Sequence, residues 1–459
     1  MLRCGERRYN DCMTSPRRAL AYCIVHIACY ISIAACAPVS RPASEAPTAS
    51  AAAVAPSSLP VPAATPLPRL PTATPPPTAT PVPQALTLWV AEDGPALDAV
   101  RALLDELADE AAGPVELLAR PADGLRLSLA TANLVGEPPP DLIWADQEAL
   151  AGLLADGLLQ PIGGQAAPDT LPALVAAATA DGELWGAPLA AQGALLLLSN
   201  RALVPAAPVS SVALIAAARA AATPETAGLV MAWEEARWLL PWLYAYGGAP
   251  LSADGATITL DTPELAAALG FLRELHAAAE DDTVSYGAGQ RLFGRGNAAY
   301  AIDGDWAIAG YTALSDTLDL GIAPLPVVPT TGRAAVAPLG GTYLMLHRDL
   351  VGEKRARAIA LIDALSAPEA QARLALALGR IPARQAALAD PMLATNPALV
   401  AAATRAADAP GLPPTPAARC ALYGIDVWLP SVLAGTREIA QVATSMQREA
   451  EACLTRAAP

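Results

Sequence analysis

The chain has 459 residues, of which 54% are hydrophobic, 16% charged and 4% aromatic, and its formal net charge is −15. Its apolar content excludes an intrinsically disordered protein, and its length exceeds what one small domain needs. The acidic balance and only three histidines argue against a nucleic-acid-binding surface.

The N-terminus is typical of an export signal. Arg17 and Arg18 precede the uncharged apolar run 19–35, which is marginal for a membrane span of about 20 residues. The run ends in Ile33-Ala34-Ala35-Cys36, which resembles the bacterial lipobox, whose cysteine accepts a diacylglyceryl group before cleavage. We therefore predict a lipoprotein signal peptide over 1–35 and lipidation of Cys36. An uncleaved anchor helix is the alternative, and either Met1 or Met13 is the true start.

Residues 36–84 predict a linker. The segment is built from Pro, Ala, Ser and Thr, with repeated Thr-Pro steps, so it lacks the side chains that a core requires. Proline favours the extended polyproline II conformation, which makes such a segment a semi-stiff spacer.

The part of the chain from residue 85 onward predicts an α/β fold. Two helices are predicted to begin at Thr262-Pro263-Glu264 and Ala367-Pro368-Glu369, since each pairs a proline in the first turn with an acidic residue. Strands alternate with such helices, which is typical of sheets with helices on their faces. The predicted strands are 86–90, 141–145, 194–199, 228–232, 299–302, 320–323 and 342–346.

Motifs for catalysis are missing from the sequence. It contains no Gly-x-Ser-x-Gly elbow, phosphate loop or His-Glu-x-x-His helix, and adjacent acids such as Glu234 and Glu235 are more often solvated than catalytic. We therefore expect a protein that is not an enzyme and that holds no metal or cofactor. Five of seven cysteines precede residue 37, and outside the cytoplasm the remaining Cys420 and Cys453 could form a disulfide.

Tryptophan is the informative aromatic residue. The eight tryptophans outnumber the two phenylalanines, and several lie beside acids, as in Trp144-Ala145-Asp146 and Asp303-Gly304-Asp305-Trp306. Flat rings beside carboxylates suit sugars, whose C–H faces stack while their hydroxyls form hydrogen bonds. Ordinary core packing is the alternative for any single tryptophan.

The chain contains a series of short motifs in the same order as in the extracellular solute-binding proteins of the maltose-binding type, and it resembles that family. Its members are receptors of ABC importers. Each motif alone is weak, and the resemblance rests on their common order over residues 85–459. The motifs are 139–146 (PPDLIWAD), 157–161 (GLLQP), 182–189 (GELWGAPL), 199–201 (SNR), 247–248 (GG), 293–300 (FGRGNAAY), 302–306 (IDGDW), 338–346 (PLGGTYLML) and 381–384 (IPAR).

The resemblance implies a two-lobed periplasmic-binding-protein-like fold. Each lobe is then a sheet flanked by helices, and crossing hinge segments join the lobes, which close on a ligand. We expect lobe 1 to contain 85–190 and 325–365, and lobe 2 to contain 191–324 and 366–459.

The resemblance also implies a set of ligand-binding residues. Gln192 stands where the family carries a carboxylate, and Arg237 stands where it carries an aromatic residue, so maltose itself is not assumed. The expected ligand contacts are Asp93, Asp146, Gln192, Glu235, Trp238, Asp303, Trp306, Gly341, Tyr343 and Tyr423, with Trp428 as an alternative to Tyr423.

The function implied is a lipid-anchored, extracytoplasmic substrate-binding protein of an ABC importer for a sugar or oligosaccharide. Its expected partners are a small-molecule ligand and an ABC permease; it would contact the membrane only through its lipid, bind no nucleic acid and be a monomer. A sensory ectodomain of the same fold and a secreted glycoside hydrolase remain as alternatives.

Overall fold

The computed structural model describes residues 84–281, 285–314 and 316–457. The predicted signal peptide, Cys36 and nearly all of the linker lie outside this range. The strands are β1 (Leu86–Val90), β2 (Val115–Ala119), β3 (Leu142–Asp146), β4 (Leu159–Gln160), β5 (Thr179–Ala180), β6 (Glu183–Leu184), β7 (Ala187–Gln192), β8 (Leu195–Asn200), β9 (Ala227–Val230), β10 (Ala298–Gly304), β11 (Leu320–Pro324), β12 (Val327–Val328), β13 (Arg333–Ala334), β14 (Gly340–His347) and β15 (Ile381–Pro382). The α-helices are α1 (Gly94–Ala111), α2 (Ala122–Val135), α3 (Gln147–Ala155), α4 (Pro172–Ala178), α5 (Ser211–Ala221), α6 (Ala236–Tyr246), α7 (Pro263–Ala279), α8 (Tyr286–Gly294), α9 (Ile308–Thr312), α10 (Gly352–Leu365), α11 (Pro368–Leu378), α12 (Pro397–Ala403), α13 (Pro416–Leu433) and α14 (Ile439–Ala457).

Two sheets organise the described chain. The first has the order β15-β7-β14-β3-β1-β2, with β4 also paired to β14, and the second has the order β11-β8-β10-β9. In the first sheet β1 is parallel to β2 and β3, whereas β14 runs antiparallel to both β3 and β7. In the second sheet β10 is parallel to β9 and antiparallel to β8. This is the expected α/β architecture of sheets flanked by helices, so the two-lobed fold is confirmed.

The predicted elements are found with small shifts of their ends. All seven predicted strands are present, because short apolar runs can be buried on both faces of a helix-covered sheet. Helix α7 begins at Pro263, where the Thr262 side chain accepts a hydrogen bond from the backbone N–H of Leu265 at 3.2 Å. Helix α11 begins at Pro368, as its sequence predicts.

The chain crosses between the two sheets at several points. It passes from β7 to β8 through Gly193 and Ala194, and it returns from β11 to β14 by way of the β12–β13 hairpin. After β15 it leaves the first sheet again, and α13 packs on α6 and α7 beside the second sheet.

Two segments near the predicted lobe boundaries have defined neighbours. Residues 368–382 pack with the first sheet, because α11 packs on α1 and β15 pairs with β7. The β12–β13 hairpin packs on α6. The predicted lobe boundaries themselves, 85–190 with 325–365 and 191–324 with 366–459, stay a prediction.

The cores of both sheets contain tryptophan. Trp89 and Trp144 are fully buried on the first sheet, and Trp238 and Trp242 are fully buried beside the second. A disulfide between Cys420 and Cys453, with Cα atoms 5.5 Å apart, joins α13 to α14. Among the described residues, none of the helices has both the length and the apolar character needed to cross a membrane.

Candidate ligand-binding site

A cavity of about 1260 Å³, here called the central cavity, is lined by residues from elements of both sheets. The first-sheet elements supply the ends of β3, β7 and β14, and the other elements supply α6, α13 and the loop that follows β10. The polar and aromatic lining residues are Asp146, Gln147, Glu148, Gln192, Arg237, Asp305, Trp306, Thr312, Arg380, Asn396, Arg419, Tyr423 and Asp426.

The wall formed by the first sheet consists of strand ends and backbone. Asp146, the last residue of β3, caps α3 by accepting the backbone N–H of Ala149 at 2.9 Å. Gly341 has no side chain and lines the cavity through its backbone. A larger residue does not fit there, because its Cβ would lie 2.7 Å from the carbonyl oxygen of Ala190. This wall can therefore offer fixed peptide groups as well as side chains to a ligand.

Arg380 forms a polar cluster at the edge of this wall. Its guanidinium donates to both carboxylate oxygens of Glu92, at 3.0 Å for the Nη2–Oε2 pair, and to the Thr342 hydroxyl at 2.9 Å. The three residues come from distant parts of the sequence. Thr342 lies within the motif 338–346, but no local pattern relates it to Glu92 or Arg380, so sequence reasoning missed the cluster.

Trp306 is the large aromatic side chain on the opposite wall, and 47% of it is exposed. Its indole Nε1–H donates to the hydroxyl of Tyr286 at 2.8 Å. The guanidinium carbon of Arg237 lies 5.7 Å from the centroid of its ring, a distance typical of a cation–π contact.

Gly304 makes room for this ring. A Cβ built on Gly304 would lie 2.2 Å from two carbons of the Trp306 ring, although the backbone φ of −83° suits any residue. We therefore expect Gly304→Ala to push the ring out of place and to weaken ligand binding about tenfold while leaving the melting temperature within a few degrees. Isothermal titration and thermal melting measure the two effects.

The matched control is Gly310→Ala in α9, where an added Cβ meets no atom within 4 Å. This variant should bind as the wild type does. Equal binding by Gly304→Ala and the wild type would contradict the role assigned to the ring.

The structure places five of the ten predicted contact residues on the cavity lining: Asp146, Gln192, Trp306, Gly341 and Tyr423. That these five contact a ligand stays a prediction. The other five are not part of the lining: Asp93, Glu235, Trp238, Asp303 and Tyr343.

Three of the predicted contacts are buried instead. Trp238 donates its Nε1–H to the carbonyl oxygen of Ile302 at 2.8 Å, and the Tyr343 hydroxyl donates to the carbonyl of Leu174 at 3.3 Å. Asp303 is 2% exposed and lies behind Trp306. These three side chains therefore lie in the interior, and that they contact a ligand stays a prediction.

The remaining two predicted contacts are not fully buried, and they also do not line the cavity. Asp93 is exposed in the loop after β1, and Glu235 is the residue before α6. Burial, and then repulsion by Asp426, raise the pKa of Glu235 above its ordinary value. Asp426 lines the cavity and accepts the backbone N–H of Ala236 at 2.6 Å.

Asp305, which lines the cavity, forms hydrogen bonds with the segment that connects β7 of the first sheet to β8 of the second. Its carboxylate accepts the backbone N–H groups of Gly193 at 3.2 Å and Ala194 at 3.3 Å, and Gly193 has a φ of +98° that favours glycine. Burial raises the pKa of Asp305 to about 6, although those N–H groups and Arg237 oppose the shift.

The raised pKa of Asp305 predicts a stability trend. The folded state binds more protons than the unfolded state between about pH 4 and pH 6, so this group lowers the free energy of unfolding as pH rises through that range. The melting temperature of Asp305→Asn, relative to that of the wild type, should therefore increase as the pH rises from about 4 to about 7. Calorimetry at several pH values measures this difference.

Asp156→Asn provides a control that should show almost no change over this range. A hydrogen bond from Arg126 lowers the pKa of Asp156, so this carboxylate is ionised in both the folded and the unfolded state over most of the range, and its contribution to stability is lost only at lower pH. A difference in melting temperature between Asp305→Asn and the wild type that stays constant across this pH range would contradict the raised pKa of Asp305.

Comparisons with known proteins agree with this architecture. The family model for bacterial extracellular solute-binding proteins matches residues 91–402. A cyclo/maltodextrin-binding protein complexed with maltotetraose is 23% identical, with a TM-score of 0.73, and the match covers 82% of this chain and 98% of that one.

Two further solved structures are similar. The maltose/maltodextrin-binding domain MalE from Bdellovibrio bacteriovorus bound to maltotriose is 23% identical, with a TM-score of 0.64 and coverage of 80% and 99%. MalE from Listeria monocytogenes in complex with maltose is 18% identical, with a TM-score of 0.72 and coverage of 81% and 98%. Curated protein sequences give no match. The family match and the shared fold show that this chain belongs to the bacterial extracellular solute-binding proteins.

Proposed function

We propose that the chain is a lipid-anchored, extracytoplasmic substrate-binding protein of an ABC importer. In this proposal it binds a sugar or oligosaccharide in the central cavity between its two lobes and does not transform it. The observation that carries the proposal is the central cavity itself, which combines a half-exposed indole with polar groups from both sheets.

The size of the cavity favours an oligosaccharide. Pockets for drug-sized ligands measure about 300–1,000 Å³, and the central cavity, at about 1260 Å³, is larger. The Trp306 ring supplies a stacking face, while Gln192, Asn396 and Arg419 line the same cavity with hydrogen-bonding groups. The similar solved structures are complexes with maltotetraose, maltotriose and maltose, so α-linked glucose oligomers are the first ligands to test.

The acidic side chains of the cavity favour binding over catalysis. Three of the four acidic lining residues, Asp146, Asp305 and Asp426, each accept at least one backbone N–H group and so have structural partners. A glycoside hydrolase would instead need two carboxyl groups that face the scissile bond from either side.

The proposal includes attachment to the membrane through a lipid on Cys36, with residues 37–84 as the spacer. Incorporation of labelled fatty acid into the wild type and its absence from Cys36→Ala would support this part. Membrane association that survives Cys36→Ala would support the anchor helix instead.

A thermal-shift screen tests the binding function. A ligand that binds only the folded state raises the melting temperature, by an amount equivalent to about 2.7 kcal/mol at 100 times its Kd. The purified chain is screened with maltose, maltotriose, maltotetraose, other sugars and a set of amino acids and polyamines as controls. A shift with an oligosaccharide and no hydrolysis products is expected; no shift with any sugar, or products in the sugar samples, would overturn the proposal.

A further inference from the structure

A chain of hydrogen bonds lies behind Trp306 and ends at a buried carboxyl group. The Tyr286 hydroxyl donates to Asp303 Oδ1 at 2.5 Å and accepts two hydrogen bonds, from the Trp306 indole N–H at 2.8 Å and from Gln290 Nε2 at 2.7 Å. A tyrosine hydroxyl has one proton and two lone pairs, so this arrangement uses its full capacity. Burial and the hydrogen bond to Asp303 raise the pKa of Tyr286, which keeps the hydroxyl protonated as a donor.

Asp303 is the fixed end of this chain. It is 2% exposed, and it also accepts hydrogen bonds from the Tyr311 hydroxyl at 2.7 Å and the Gly304 backbone N–H at 2.7 Å. Because several donors hold the carboxyl group in place, the Tyr286 hydroxyl has a defined direction, and so does the indole that donates to it.

Ring packing adds to the hydrogen bonds. The Trp238 ring lies 5.2 Å from the Tyr286 ring and 6.2 Å, edge to face, from the Trp306 ring. Trp238 is itself buried, so the rings of Tyr286 and Trp306 pack on a fixed aromatic base.

We infer that Tyr286 and Asp303 are positioning residues that hold the Trp306 indole in the orientation needed for stacking against a ligand. The inference rests on the proposed function. An indole fixed before binding loses less conformational freedom when a ligand arrives, and this preorganisation is worth between about twofold and tenfold in affinity for one side chain.

Tyr311 offers a matched comparison. Its hydroxyl donates to the same carboxyl group, but its ring packs edge to face on Phe293 at 5.1 Å, and none of the contacts described here joins it to Trp306. Tyr286→Phe and Tyr311→Phe each remove one hydroxyl donor from Asp303. Only Tyr286→Phe also removes the acceptor of the indole N–H.

The experiment has a readout that needs no ligand. In the full chain labelled with ¹⁵N-tryptophan, the Trp306 indole signal is assigned by its loss in Trp306→Phe, and its hydrogen exchange is measured. We expect exchange to be faster than in the wild type in Tyr286→Phe and unchanged in Tyr311→Phe. Unchanged exchange in Tyr286→Phe, or an equal increase in both variants, would overturn the inference.

The second readout is the Kd for maltotetraose. We expect Tyr286→Phe to raise the Kd between about twofold and tenfold and Tyr311→Phe to leave it near the wild-type value. In the Trp306→Phe background, Tyr286→Phe should cause no further loss, because the indole N–H is already absent. An equal loss in both backgrounds would overturn the inference.

The two readouts separate the inference from the proposed function. If wild-type protein binds no sugar, the proposed function fails, while indole exchange still decides whether Tyr286 holds Trp306. If Tyr286→Phe does not fold, Gln290→Ala, which removes a donor shared by Tyr286 and Asp303, takes its place with the same expected direction in indole exchange.

Discussion

Trp306→Ala is expected to abolish the stabilisation of the protein by an oligosaccharide. Burying on the order of 100 Å² of ring against a sugar is worth about 2.5 kcal/mol, so its loss should raise the Kd about 70-fold. The unliganded protein should melt within a few degrees of the wild type, because 47% of this side chain is exposed. Thermal shift and isothermal titration with maltotetraose measure the change.

Trp306→Phe is the control, since it keeps a smaller aromatic face while losing the indole N–H. It should recover part of the binding energy. If unliganded Trp306→Ala is instead strongly destabilised, the ring belongs to the core and the assignment of this wall as a binding surface fails.

Removing the disulfide should cause a large loss of stability. Cys420 and Cys453 are separated by 33 residues, and the chain-entropy model gives about 4 kcal/mol for closing a loop of that size. The double substitution Cys420→Ala and Cys453→Ala should therefore lower the free energy of unfolding by a few kcal/mol in denaturant titrations.

Reductant supplies the matched comparison. It should lower the stability of the wild type to that of the double variant and leave the double variant unchanged. A reductant-insensitive wild type would show that the two thiols are not joined in the purified protein.

Strands with short apolar sequences could be predicted, because their composition indicates that they are buried. β1 and β3 are almost continuous apolar runs, as expected for strands covered by helices. β7 was missed because its sequence, APLAAQ, contains Pro and Ala rather than branched residues. It is a strand because β14 and β15 pair with it on its two sides.

Side-chain direction could not be predicted to the same degree. Successive residues of a helix point about 100° apart, so Arg237 reaches the cavity while its neighbour Trp238 enters the core. The sequence places the two residues side by side and does not say which one faces the ligand. Sequence motifs therefore indicated segments that reach the cavity, but they could not tell which side chains of those segments line it.

No pattern in the sequence predicted the ion pair between Glu92 and Arg380. The two residues are 288 positions apart, and the fold alone brings them together. Such contacts depend on the crossing of the chain between sheets, which only the three-dimensional structure reveals.

The contact of Asp305 with Gly193 and Ala194 has a mechanical consequence. The loop that carries Trp306 is fastened to the short link over which the chain passes from β7 to β8. If the two halves rotate about that link, a ring beside the pivot moves little, whereas groups at the far rim travel further. Under the proposed function, a sugar would first contact the nearly stationary indole, and the distant rim would then close over the bound sugar.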